Sequence, residues 1–302
     1  MQCIELIAYA ELYGNDRLVQ ASLAKKPLQC ATLLDRLIIY MELIDIGCNL
    51  THDSFDSDRK EVIEAASQAG VAQIIVTGAS AEGSQAAYQL ASEWPLQLFA
   101  TAGVHPHRAS QYDSEADSLI RDLAGRNGVV AIGETGLDYF RDFSPRKAQR
   151  SSFEQQIQIA IETGLPLFLH QRDAHDDFIA ILKEYRDHLS EVVVHCFTGT
   201  KPEMYECLDL DCFIGITGWI CDERRGTHMK EYMKDIPSNR LMIETDAPYL
   251  KPRSLRPKIK SHRNEPRLLP WILGTLAACR GEHPEKLAET TTGNARAFFR
   301  LS

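Results

Sequence analysis

Four residues of metal-ligand type each close an apolar run in this sequence. Glu134 ends Val129-Val130-Ala131-Ile132-Gly133-Glu134, and His170 ends Leu165-Pro166-Leu167-Phe168-Leu169-His170. His195 ends Val192-Val193-Val194-His195, and Asp246 ends Leu241-Met242-Ile243-Glu244-Thr245-Asp246. A buried parallel strand with a polar residue at its C-terminal tip is how an α/β barrel builds an active site: the strand is rigid and dry, and the tip faces the pocket. Two imidazoles and two carboxylates meeting there suit a divalent cation. Metal-assisted hydrolysis needs nitrogen and oxygen ligands, an open coordination position and a base for water. Glu134, His170 and His195 supply one carboxylate and two imidazoles. Asp246 either completes the coordination or takes the proton from water. A single strand-end histidine is more often a cap than a ligand, but four such ends in one chain argue for a shared site. Gly103-Val104-His105-Pro106-His107 follows a further strand-like run. Its His105 is expected to project into the same pocket, with His107 outside it.

These residues need a scaffold that brings distant strand ends together. From Met41 onward, strand and helix patterns alternate. Period-2 or fully apolar runs predict strands at 43–48, 73–77, 98–103, 129–134, 165–170, 192–196, 211–216 and 241–246. Helical periodicity predicts intervening helices at 59–69, 84–93, 115–123, 146–163, 177–188, 202–208 and 226–235, with a final pair at 266–279 and 284–299. Eight β/α repeats in about 260 residues are what a (β/α)8 TIM barrel requires. A doubly wound open sheet would carry a glycine-rich phosphate turn after an early strand, and none is present. Residues 1–40 do not fit the repeat and read as a peripheral N-terminal extension without chemistry. Residues 41–302 read as the barrel domain.

Composition narrows the class. At 44% hydrophobic and 25% charged, the 302-residue chain has the make-up of a globular protein with ample core. A net charge of −9 argues against broad coating of nucleic acid, while leaving room for a local basic groove. The eight cysteines include no CxxC pair and read as reduced thiols of a cytoplasmic protein. No apolar run reaches the roughly 18 residues needed to span a bilayer. The first basic residue, Arg17, follows Glu5 and Glu11, a poor signal peptide. No membrane association and no obligate protein partner is expected.

Several segments together resemble the TatD family of metal-dependent deoxyribonucleases. They are Asp45-Ile46-Gly47-Cys48-Asn49-Leu50, Gly103-Val104-His105-Pro106-His107, Ile132-Gly133-Glu134-Thr135-Gly136-Leu137-Asp138, His170-Gln171-Arg172-Asp173-Ala174-His175, His195-Cys196-Phe197-Thr198-Gly199 and Ile243-Glu244-Thr245-Asp246-Ala247-Pro248-Tyr249-Leu250, with Arg263-Asn264-Glu265-Pro266 as a further match. The resemblance runs in order from about Met41 to the C-terminus. It implies an amidohydrolase-like TIM barrel and Mg²⁺- or Mn²⁺-dependent 3′→5′ exonuclease action on single-stranded DNA, with RNA as a second substrate. By position it implies that Glu134, His170, His195 and Asp246 are metal-site residues. Most relatives also carry Asp-x-His-x-His on the first strand. Here Gly47 and Asn49 take the two histidine positions, as in the family's founding member, which marks a subgroup. Such a site should favour one labile Mg²⁺ over two zinc ions.

Phosphodiester substrates also need cationic contacts. Lys251, Arg253, Arg256, Lys258, Lys260, His262, Arg263 and Arg267 crowd the segment after the eighth strand, Arg224 and Arg225 follow the seventh, and Arg172 lies two residues past His170. All fall on the catalytic face of a barrel, as an anion funnel on an acidic body. Arg172, Arg224, Arg225, Arg253 and Arg263 are the expected substrate contacts, and His105 is expected to hydrogen-bond the phosphate or protonate the leaving oxygen. Trp219, Tyr249, Tyr139 and Phe140 lie on the same loops, where one or two could stack a base. Two rival readings remain at this level: an amidohydrolase for a small amide, lactone or ester, which would not need the basic cluster, and a barrel that binds nucleic acid or protein without turnover.

Overall fold

Apolar residues buried on both faces make the strands of this chain parallel rather than half-exposed. All six positions of β1 (Leu43–Cys48) are buried, and five of six in β2 (Val71–Val76). The computed structural model describes residues 41–301, so the expectation for residues 1–40 lies outside the described residues. The remaining strands are β3 (Leu98–Ala102), β4 (Val129–Asp138), β5 (Leu167–Arg172), β6 (Val192–Val194), β7 (Phe213–Ile216) and β8 (Leu241–Ile243). They pair in parallel in the order β1 to β8. A parallel bridge from Cys48 to Ala247 then joins the last strand to the first, with Asn49 N–H donating to Ala247 O at 2.7 Å and Asp246 N–H to Gly47 O at 2.8 Å. The sheet is an eight-stranded parallel TIM barrel, nearly closed by this bridge, as expected from the sequence.

Amphipathic helices cover its outside: α1 (Arg59–Gln68), α2 (Ala81–Glu93), α3 (Ser114–Ala124), α4 (Arg146–Thr163), α5 (His175–Tyr185), α6 (Lys201–Asp209), α7 (Thr227–Lys230), α8 (Leu269–Arg280) and α9 (Pro284–Phe299). Local chemistry starts and stops them. Ser80 caps α2 through Gly83 N–H, and Asp113 caps α3 through Glu115 and Ala116 N–H. Thr200 and Glu203 form a capping box on α6. Gly164 ends α4 in the left-handed region at φ 67°. Side chains such as Val62, Ile63, Ile120, Phe153, Ile157 and Phe178 join the outward face of the strands in one large core. Inside the barrel a second cluster joins Ile44, Ile46, Ile75, Phe168, Val193 and Met242 to Phe298 and Phe299 of α9. Phe298 packs edge-on against Phe213 at 5.2 Å, so the C-terminal helix plugs the end of the barrel opposite the site.

The expected elements hold, with informative shifts at their ends. The predicted 226–235 helix is broken into the four-residue α7 and a 3-10 turn at Met233–Asp235, although Met229 and Met233 stay buried as the helical spacing requires. Strand β4 runs four residues beyond Glu134, because Thr135 to Asp138 pair with Leu169 to Arg172 of β5. These residues do not form an apolar run, so periodicity alone ends the strand early. Two glycines allow that pairing. At Gly133 (φ 144°) a Cβ would overlap the Phe168 carbonyl oxygen, and at Gly136 (φ 134°) it would overlap that of His170. Glycine alone tolerates both the dihedral and the approach.

Between the first and last strands, Asp45 is fully buried and accepts from Thr245 N–H at 2.8 Å, Thr245 Oγ1–H at 2.5 Å and Gly47 N–H at 3.3 Å. Burial pushes its carboxyl up to about 8 despite these donors, and the three hydrogen bonds make it a structural staple between β1 and the segment after β8.

The close approach at Gly136 generates a contrast. Gly136→Ala should prevent normal β4–β5 pairing and give insoluble or strongly destabilised protein. Gly164→Ala, where a Cβ has open space, should fold with a cost of about 1–2 kcal/mol for its left-handed backbone. Thermal denaturation of both variants checks this, and a Gly136→Ala protein as stable as wild type would refute the close-approach argument.

Candidate metal centre and its cationic rim

One carboxylate oxygen organises the C-terminal mouth of the barrel. Glu134, on β4 and buried, places Oε1 2.7 Å from His195 Nε2, 3.1 Å from His170 Nδ1 and 3.3 Å from His105 Nε2. His170 sits on β5, His195 directly after β6, and His105 three residues after β3. The register that places Gly136 beside His170 brings the first pair together. The His105 loop is held by Gln156 of α4, whose amide accepts from Val104 N–H at 2.8 Å and donates to Val104 O at 3.0 Å.

Burial works against the Glu134 charge, but His105, His195 and His170 outweigh it and hold the carboxyl well below the usual range. Burial likewise disfavours charge on His170 and His195; the facing carboxylates win, raising both imidazoles. In His105 burial wins, and its imidazole falls to about 4.

The donor set fits a metal ion. Ligands about 2.0–2.1 Å from a tetrahedral ion lie about 3.3 Å apart, close to the spacings around Glu134 Oε1. His105, Glu134 and His170 bring ligand atoms within 4.8 Å of one another, and His195 Nε2 lies closer still to Glu134. Hydrogen bonding separates the three imidazoles by role. His195 donates from Nε2 to Glu134 Oε1 at 2.7 Å and turns Nδ1 to Glu244 Oε2 at 3.4 Å, so loss of the Nε2 proton would free that nitrogen for a cation while Glu244 keeps the proton on Nδ1. His170 Nδ1 faces Glu134, and its buried Nε2 lies 3.3 Å from Asp138 Oδ2 without an aligned hydrogen bond. His105 Nδ1 instead accepts from His107 N–H at 3.1 Å, so the neutral ring carries its proton on Nε2. The close group of possible ligand atoms is therefore His105, Glu134 and His170, with His195 bonded to the same Glu134 oxygen, and among these rings His105 is the one whose second nitrogen already accepts a backbone N–H.

Asp246 lies three residues past β8 in the left-handed region (φ 54°), and its Oδ1 accepts from Asn49 Nδ2 at 3.1 Å. Burial raises its carboxyl to about 7, with the Glu134 and Glu244 charges adding and His195 and His170 opposing. It lines the same 540 Å³ cavity as Glu134, His105, His170 and His195 and lies outside the close group of possible ligand atoms.

The sequence reading passes over three groups that the fold brings in. Asp138 accepts from His107 Nε2 at 2.8 Å and from Arg141 N–H at 2.7 Å, so His107 lines the cavity rather than lying outside it. Glu244, fully buried, accepts from Cys196 N–H at 2.5 Å and orients His195. Asn49 supports Asp246. Spacing carries part of this signal: Asp138 follows Glu134 by four residues and Glu244 precedes Asp246 by two, so each shares the parity of a recognised site residue.

The expected cations divide. Arg172 stacks on the exposed Phe140 ring at 3.9 Å, and both Arg172 and Arg225 line the central cavity. Arg224, Arg225 and Arg253 gather on the buried Asp222 carboxylate, at 3.4, 3.3 and 3.7 Å. Arg263 is placed elsewhere. It forms a fork on Asp58 at 2.6 and 2.8 Å, reaches Glu265 at 3.1 Å and covers Phe55. It is among the lining residues of neither cavity at this face and ties the 251–267 segment to the start of α1.

A closed parallel barrel with a carboxylate–imidazole centre at its C-terminal mouth defines a metal-dependent hydrolase. Residues 44–300 match the model of the TatD related DNase family, and the chain belongs to that family. The relative named 3′-5′ ssDNA/RNA exonuclease TatD from Pectobacterium carotovorum subsp. carotovorum is 49% identical over 260 residues, covering 86% of this chain and all of its own length. The crystal structure of a TatD homologue from Escherichia coli K12 superposes with a TM-score of 0.79 at 27% identity, covering 87% of this chain and 99% of that one. A TatD family hydrolase from Entamoeba histolytica gives 0.75 at 28% identity over the same shares.

Two outcomes follow from the hydrogen bonds around the imidazoles. Glu244→Gln should weaken Mn²⁺ binding by about 10–100-fold, as loss of the group that orients a metal-binding histidine generally does, while the fold is kept. In wild type, affinity should climb with pH through the neutral range, because His170 and His195 are held protonated by facing carboxylates and must release those protons to bind a cation. Calorimetric titration at several pH values reads both. Unchanged affinity in Glu244→Gln would remove that residue from the centre.

Proposed function

We propose that this protein is a metal-dependent 3′→5′ exonuclease that hydrolyses the terminal phosphodiester of single-stranded DNA, with RNA as a second substrate. The carrying observation is the convergence of His170 and His195 on Glu134 Oε1, beside a mouth lined by Arg108, Arg141, Arg172 and Arg225. A neutral small substrate would not need those guanidiniums. The curated relatives supply the polarity of the reaction. The cytoplasm is the compartment that fits this role and the reduced cysteines, six of which are free among the described residues.

Glu134, His170 and His195 would hold the cation. A labile Mg²⁺ or Mn²⁺ fits the single carboxylate with two imidazoles, and the imidazole content gives Mn²⁺ the higher affinity. When bound, the ion supplies Lewis-acid polarisation of the phosphoryl group and a lowered pKa for water. The protein's own groups do the rest. Asp246, poised near neutrality and steadied by Asn49, accepts the proton of the attacking water. His105, whose Nε2–H faces Glu134 Oε1 at 3.3 Å, would share that donor with the phosphate and the leaving 3′-oxygen. Arg172, held flat on Phe140, offsets the charge that grows on the phosphoryl oxygens. Phe140 and Tyr249, each about half exposed at the rim, offer faces for stacking bases.

Single-stranded DNA labelled at either end tests this reading. A 3′ label should be released at once as a mononucleotide and a 5′ label should shorten stepwise, both stopping in EDTA and resuming with Mg²⁺ or Mn²⁺. Asp246→Asn should lower kcat by about 10²–10⁴-fold, and Glu134→Ala should remove metal binding along with turnover. Cleavage that survives complete chelation, or release from the 5′ end, would overturn the proposal.

A further inference from the structure

Helix α4 carries three buried polar side chains, Gln149, Ser152 and Gln156. Their spacing of three and then four residues puts them in one row on the helix. Two of them repeat one device. Gln149 Oε1 accepts from Asp138 N–H at 2.8 Å, and its Nε2 donates to Asp138 O at 3.1 Å. Gln156 makes the same pair with Val104, at 2.8 and 3.0 Å. Each amide grips both backbone groups of one residue and can do so only one way round. One grip holds the end of β4, and the other holds the loop after β3 that carries His105. Gln149 also donates to Ser144 O at 2.8 Å, and Ser144 Oγ–H donates to His107 O at 3.0 Å.

Asp138 is where the first grip meets the metal centre. In the β4–β5 register His170 lies beside Gly136, which has no side chain. Asp138, two residues on, carries the next side chain on that face of β4. Its carboxylate is buried, and Oδ1 accepts from Arg141 N–H at 2.7 Å. Oδ2 lies 2.8 Å from His107 Nε2 and 3.3 Å from His170 Nε2. His170 turns its other nitrogen, Nδ1, to Glu134. With Nδ1 given to a cation, the ring proton sits on Nε2, and Asp138 is the carboxylate within reach of it. A carboxylate in that place fixes the ring and raises its basicity as a ligand. The backbone of Asp138 decides whether the carboxylate stands there, and Gln149 holds that backbone.

We propose that Gln149 and Asp138 are positioning residues of the metal centre: α4 sets the affinity for the cation by holding Asp138 against His170 Nε2. Both act through His170. The inference rests on the reading of His170 as a cation ligand, and not on which substrate is cut. Gln156 supplies the internal comparison, because the same grip from the same helix leads to His105 instead.

Calorimetric titration of the full-length protein with Mn²⁺, in the absence of nucleic acid, tests this. Asp138→Asn should weaken binding by about 10–100-fold and Gln149→Met by about tenfold. Because Gln149 acts through Asp138, the double variant should bind no more weakly than Asp138→Asn alone. Gln156→Met should also lower Tm, and should lower kcat on DNA, yet keep the Mn²⁺ affinity of wild type. Three results would each overturn the proposal: unchanged affinity in Gln149→Met, losses that multiply in the double variant, or an equal loss in Gln156→Met, which would make α4 a general brace. Asp138→Asn keeps the size of the side chain and decides the case if Gln149→Met does not fold; binding as tight as in wild type would then sink the idea. A protein that gives the expected affinities and cleaves no DNA would fail the exonuclease reading and keep this one.

Discussion

A buried carboxylate facing three imidazoles is the constraint on which the rest of this molecule depends. Glu134 lies in the barrel interior, where an unpaired charge would be costly. It remains ionised because His105, His170 and His195 surround the same oxygen. Those rings arrive from three other strands, so the arrangement exists only if the barrel closes with β3, β4, β5 and β6 in register. Gly133 and Gly136 set that register where β4 meets β5, and Gly103, whose Cβ would overlap the Gly133 backbone, brings the end of β3 against β4. Backbone glycine is thus part of the candidate metal site although it offers no ligand.

Electrostatics divide the molecule into a reactive centre and a receiving surface. At the centre, carboxylates and imidazoles hold one another in alternate states: Glu134 and Asp138 are depressed, His170 and His195 raised, and Asp246 left near neutrality by burial. Groups with divergent proton affinities at short range are what acid–base chemistry requires. Around the rim the sign reverses. Arg172 rests on Phe140, and Arg224, Arg225 and Arg253 gather on Asp222. Holding these long side chains in place lowers the entropy lost when they meet an anion. The acidic body outside the rim limits nonspecific adhesion, so attraction is concentrated at the mouth.

What could be read in the chain and what could not follow from different physics. Strand runs such as Leu43–Cys48 announce themselves because both faces are buried, and α4 and α9 by their helical periodicity. The strand-end positions of Glu134, His170, His195 and Asp246 make a candidate centre visible before any fold is known. The continuation of β4 through Thr135 to Asp138 is invisible to periodicity, since its pairing depends on glycine backbone rather than apolar side chains. Roles inside the site are equally hidden. Only the His107 N–H on His105 Nδ1 distinguishes that ring from His170 and His195, which look the same in sequence. Cationic residues are easy to count, but their commitments depend on tertiary partners. Arg253 and Arg263 belong to one basic stretch, yet the first faces a cavity and the second is spent on Asp58 and Glu265.

The two non-histidine positions on the first strand find their meaning in the last strand's end. A Cβ at Gly47 would overlap Glu244 Oε2 and press on Phe168 at 3.0 Å, while a Cβ at Gly215 would come within 2.8 Å of Glu244 Oε1. The Glu244 carboxylate therefore occupies the hollow between two glycines on the neighbouring strands β1 and β7. From there it receives Cys196 N–H and orients His195. Asn49 fills the other position by donating to Asp246. A histidine at position 47 would compete for the space that Glu244 needs, so gaining a first-strand ligand would disturb the support of His195. In this chain, the absence of histidines on β1 is coupled to Glu244, which follows β8 and holds His195, while β1 supplies the room for it.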